Sequence, residues 1–114
     1  MIALERRAGR MPKIWAVATA EDARITVPTV VVGEWWRGQR GPIAKILDAV
    51  EVEPLSLEIA KAAGAAIARV AGAGLADAIV MASAARRGDL VYTSDIEDLQ
   101  RLQQPFPSVR LVRV

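Results

Sequence analysis

Short β-branched runs, each set apart from the next by a stretch of helical pattern, leave this chain few architectures. Arg24-Ile25-Thr26-Val27-Pro28, Val52 to Leu55, Leu90-Val91-Tyr92-Thr93 and Val109 to Val114 have the composition of short strands. A hairpin joins antiparallel strands with a few residues, whereas parallel strands need a crossover of about a dozen or more. The segments between these runs are long enough for crossovers, and they carry helical patterning. Residues 11 to 21 place Met11, Ile14, Trp15, Val17 and Ala18 at helical spacing, with Pro12 suited to a first turn. Thr29 reads as the N-cap of a helix that ends near Gly38. Gly41-Pro42 opens a helix through Val50, and Leu57 to Val70 and Asp77 to Arg87 are alanine-rich helices, the second closed by Gly88. Asp95 to Leu102 is a further helix, after which Pro105 and Pro107 are expected to keep the chain extended. Strands alternating with helices predict an α/β fold with a mostly parallel sheet covered on both faces.

At 114 residues and 53% apolar, the chain suits one domain, 1–114, with an ample core. The alanine-rich helices permit close approach and make dimerisation an attractive expectation. Trp35 and Trp36 are adjacent and point in different directions, so one of them is expected to pack in the core or against a partner.

The chain has no cysteine and no histidine. That removes disulfides, thiolate and imidazole catalysis, and soft metal sites. Chemistry is left to carboxylates, hydroxyls, Lys, Arg or Tyr92, and oxygen donors favour magnesium or manganese. Twelve of the fifteen cations are arginine and the formal net charge is +2, which permits contact with phosphate. Arg69 and Asp77 interrupt the longest apolar stretch, so no membrane span is expected. No secretory pattern is present, and a soluble cytoplasmic protein is the expectation.

Four acids draw attention. Asp95 and Asp98 follow the strand Leu90–Thr93, at the carboxyl end where open α/β sheets place their ligands. Ser94 or Asp95 with an acid three residues on also matches a capping box, a purely structural role. Asp77 lies at the mouth of an apolar helix, flanked by Ala76, Ala78, Ile79 and Val80. It could cap that helix, yet an acid buried in such a surface is costly unless paired or metal-bound. Glu34 follows the strand run Arg24–Pro28 and could pair with Arg37 at i, i+3. Glu97 is expected on the solvent side and outside the site. Together Glu34, Asp77, Asp95 and Asp98 are expected at one end of the sheet. Clustered carboxylates repel, and a divalent cation reverses that penalty and can activate water for attack on a phosphodiester.

In order and spacing, Met1-Ile2-Ala3-Leu4-Glu5-Arg6, Pro28-Thr29-Val30-Val31-Val32-Gly33-Glu34-Trp35-Trp36-Arg37-Gly38, Leu75-Ala76-Asp77-Ala78-Ile79-Val80-Met81-Ala82-Ser83-Ala84 and Val91-Tyr92-Thr93-Ser94-Asp95-Ile96-Glu97-Asp98-Leu99 resemble the PIN-domain ribonucleases. Among these the chain is most similar to VapC-like toxins of type II toxin–antitoxin systems. The resemblance implies a PIN-like three-layer fold and a Mg2+- or Mn2+-dependent endoribonuclease cleaving structured RNA, tRNA or rRNA. It also implies a homodimer and inhibition by a small VapB-like antitoxin. It assigns Glu34, Asp77 and Asp95 as the second, third and fourth metal-binding acids, Asp98 as an additional one, and Ser94 as an assistant to a metal-bound water. The family's first acid ends an N-terminal strand at the centre of the sheet. This chain begins inside the helix that follows, so both the central strand and the first Asp are expected to be missing. That departure favours an alternative, a catalytically impaired module that binds antitoxin or RNA without cutting. A DNA-cleaving relative and a purely structural α/β protein are the remaining readings.

Overall fold

The computed structural model describes residues 2–3, 11–38 and 40–114. It is an α/β fold in the element order β1 (Ile2–Ala3), α1 (Met11–Ala20), β2 (Thr26–Pro28), α2 (Thr29–Trp35), α3 (Pro42–Ala49), β3 (Glu51–Glu53), α4 (Leu57–Arg69), α5 (Leu75–Arg87), β4 (Leu90–Thr93), α6 (Ile96–Gln100) and β5 (Arg110–Arg113). The strands form one five-stranded sheet in the order β3-β2-β1-β4-β5, every neighbouring pair parallel. The expected parallel α/β architecture is therefore present.

The central strand is a correction. The sequence reading left that position empty, whereas Ile2–Ala3 occupies it, with Ile2 opposite both Thr26 and Val91 and Ala3 opposite Tyr92. The physical reason is that β2 and β4 would otherwise face a gap with unpaired backbone groups on both sides, and even a two-residue strand supplies partners there. The rest of the expected Met1–Arg7 helix start, and the side chain of Trp35, lie outside the described residues.

Running outward from β1, the chain first goes to β2 and β3, then crosses back to β4 and β5. Right-handed crossovers then place the helices on two faces. In agreement, α1 packs with α3, and α5 packs with α4 and α6. Nine consecutive residues of α5, Ala76 to Ala84, are buried, so this helix is wrapped on all sides. Some alanines of α4 and α5, Ala63, Ala66, Ala78 and Ala82, lie in the core, and these two helices pack closely, while Ala65 and Ala68 of α4 stay exposed. Trp36 is 37% exposed, while Trp15 packs against the core.

Several local expectations shift. Thr29 is the first residue of α2 rather than its cap; Pro28 holds the cap position, with no side-chain bond. Helix α2 ends at Trp35, three residues early, and β3 is Glu51–Glu53 rather than Val52 to Leu55. Ser56 caps α4, its Oγ accepting the Ile59 N–H at 3.1 Å. The segment after α6 is a 3-10 turn, Arg101–Gln103, followed by turns rather than an extended run. There Phe106 N–H donates to the Leu102 carbonyl at 3.1 Å and Val109 N–H to that of Phe106 at 3.2 Å. Prolines set only their own φ, so Pro105 and Pro107 are compatible with turns as well as with extended chain.

Gly88 ends α5 in the left-handed region at φ 71°, as the sequence suggests. Helix α1 ends in the same way without a glycine. Asp22 has φ 53°, Ala23 N–H donates to Ala18 at 2.9 Å and Asp22 N–H to Thr19 at 3.1 Å, the paired bonds of a Schellman ending. A side chain in that region carries a steric penalty that glycine escapes. Asp22→Gly is expected to stabilise the chain by about 1 kcal/mol, read as a higher urea midpoint with an unchanged slope.

Candidate functional site

The strand order places the change of direction between β1 and β4. In open parallel sheets that is where a crevice opens at the carboxyl ends of the strands. Strand β4 carries the chain into it. Thr93, the last residue of β4, is buried, and its Oγ1 accepts the Asp95 N–H at 3.0 Å. Ser94 between them is half-buried. Asp95 stands at the cap position of α6 but makes no side-chain cap hydrogen bond. The turn is thus fastened by the Thr93 hydroxyl, and the capping-box role expected of Asp95 is not what its carboxylate does. Asp95 is exposed, as is Asp98 in the first turn of α6.

Asp77 reaches the same end by a different route. Helix α5 feeds β4 through only Gly88 and Asp89, so it runs antiparallel to β4 and its first turn stands at the carboxyl end. The helix opens at Leu75 with Gly74 as its cap, which leaves Asp77 inside the first turn rather than in the capping position. Its exposure is 3%, against the mostly apolar surroundings of Ala76, Ala78, Ile79 and Val80. Burial of a carboxylate among such neighbours is expensive unless the charge is compensated. Glu34 is exposed on α2, which leaves the carboxyl end of β2 and touches α5.

The topology therefore gathers Glu34, Asp77, Asp95 and Asp98 at one end of the sheet. It does not bring them into a metal-ready cluster: among the described residues no group of three acids is close enough to hold an ion. No family model matches this sequence, and no curated protein matches it. With β1 at Ile2–Ala3, the acid that follows the central strand in sequence is Glu5, which lies outside the described residues.

Two polar clusters escaped the sequence reading. Buried Ser83 on α5 donates to Glu53 of β3, and Arg87 bridges Glu53, Ser83 (3.0 Å) and Asp89 (2.9 Å). This network ties the outer strand β3 to the end of α5. Asp89 titrates below its ordinary value: burial pushes it up, and surrounding positive charge, the Arg87 guanidinium included, outweighs the burial. Only the Arg87–Asp89 spacing hints at this in sequence, because Glu53 and Ser83 are 30 residues apart.

The second cluster is Tyr92, 1% exposed on β4, whose hydroxyl donates to the Glu21 carboxylate just beyond α1. That bond, then burial and the negative charge of Glu21, push the phenol up to about 12. Tyr92 was a candidate for chemistry on sequence grounds, but a phenol so held does not ionise near neutrality and acts as a core anchor.

Proposed function

We propose that the carboxyl end of this sheet is a PIN-like RNA-cleaving site, and that the chain is a Mg2+- or Mn2+-dependent endoribonuclease of the toxin type. The observation that carries this reading is Asp77, a carboxylate buried on the first turn of a wrapped helix, at the sheet end where Asp95 and Asp98 emerge. Glu34, Asp77, Asp95 and Asp98 are the residues to hold the metal, with Ser94 beside them. A bound divalent ion supplies a low-pKa water and neutralises charge on the scissile phosphate. The described acids do not converge on one point as they stand. Structured RNA, a small antitoxin and a second copy of the chain are the partners this reading carries.

The same lack of convergence favours a second reading, in which the chain binds RNA or antitoxin without cutting. Incubating the chain with a pool of structured RNA, with manganese and with chelator, separates the two. Cleavage that chelator abolishes supports the enzyme. Binding without cleavage supports the second reading, and neither binding nor cleavage removes both. No helix among the described residues is long and apolar enough to cross a membrane.

A further inference from the structure

Arg113 is the last residue of β5, and its Cα is paired in register with Thr93, two residues before Asp95. Adjacent strands are about 4.8 Å apart, so this arginine stands at the rim of the carboxyl end. The guanidiniums of Arg37 and Arg101 are committed elsewhere. Arg37 turns back on α2 and donates to the carbonyls of Trp36 at 2.7 Å and Gly33 at 3.5 Å. Arg101 donates at 2.8 Å to Ala71, in the turn between α4 and α5, and lies against Gly72. Arg113 reaches Glu97 on α6 across 3.4 Å, with the two side chains 58% and 76% exposed. An exposed, long ion pair of this kind contributes little and is readily exchanged. A guanidinium, by contrast, matches a phosphate group in both charge and geometry.

We propose that Arg113 grips an RNA phosphate beside the candidate site, and that Glu97 is a built-in competitor occupying the guanidinium until RNA displaces it. This inference rests on the RNA reading given above. It makes Glu97, set aside by the sequence, a determinant of affinity rather than a bystander. Arg113 is a binding and positioning residue here and takes no part in bond cleavage.

The test is binding of a fluorescently labelled structured RNA in chelator, from about 50 to about 200 mM salt, by the whole chain and by Arg113→Gln, Glu97→Gln and the double variant. Arg113→Gln is expected to weaken binding roughly three- to tenfold and to reduce the slope of log affinity against log salt by about one. Glu97→Gln is expected to tighten binding several-fold, and only while Arg113 is present. Unchanged affinity and slope in Arg113→Gln overturn the proposal while leaving the RNA reading standing. Absence of RNA binding by the unaltered chain overturns both. Should Arg113→Gln melt early, Glu97→Gln on the exposed face of α6 decides alone, and unchanged binding there overturns the competitor role.

Discussion

Asp77→Asn is expected to lower manganese-dependent RNA cleavage by a factor of about a hundred or more, with little change in melting temperature. Asparagine keeps the volume and polarity of the buried site and removes only the negative charge. A metal-binding role does not tolerate that exchange, and the melting temperature reports any structural role of the charge. Asp48→Asn, on an exposed acid near the end of α3, is the matched control and is expected to cleave as the unaltered chain does. Full activity in Asp77→Asn would remove the carboxyl-end reading, because Asp77 is the acid on which it stands. Comparison of near-ultraviolet circular dichroism for the two variants separates lost chemistry from lost fold.

The largest effect on stability is expected at Tyr92. Tyr92→Ala empties the space of the largest fully buried side chain among the described residues and is expected to cost about 3–5 kcal/mol. Tyr92→Phe keeps the ring and removes only the hydroxyl that donates to Glu21. A hydrogen bond to a charged group contributes about 1.5–3 kcal/mol, and Glu21 is exposed and can turn to water, so the lower half of that range is expected. The pH dependence carries a definite sign. The folded phenol ionises near 12 against an ordinary 10.0, so the unfolded chain loses its proton first. The stabilisation is complete below pH 10 and is lost as the pH rises toward 12, by at most roughly 2–3 kcal/mol. Urea midpoints measured on either side of pH 10 should fall for the unaltered chain and stay flatter for Tyr92→Phe. Parallel slopes for the two would show that the Glu21 bond does not hold the proton.

Particular elements show how far the sequence could be read. Gly88 after an alanine-rich helix marks a helix end because only glycine enters the left-handed region freely, and the structure ends α5 there. The strand Leu90–Thr93 and the helix after Asp95 were legible from composition alone. Thr29 caps no helix because it lies inside the first turn of α2, after Pro28, and Asp95, one of two residues that matched a capping box, makes no side-chain cap bond; neither outcome leaves a pattern in composition. The central place of Ile2–Ala3 was missed since two residues have no periodicity; β1 exists because β2 and β4 leave a gap for it.

Local chemistry in the sequence determined the alternation of strands and helices, the parallel sheet that follows from long crossovers, the confinement of chemistry to oxygen, lysine and arginine groups, and the identity of the acids near strand and helix ends. These are properties of a few neighbouring residues, so they survive without knowledge of the fold. Tertiary structure alone decided that β1 is central, that Asp77 is buried while Glu34, Asp95 and Asp98 are exposed, and that Tyr92 of β4 meets Glu21 beyond α1. It also decided that Arg87 joins Glu53 to Ser83 and that Arg113 faces Glu97. Each of these depends on which distant segments are packed together, and the pairing of distant segments is set by the collective burial of the core rather than by any one stretch of chain.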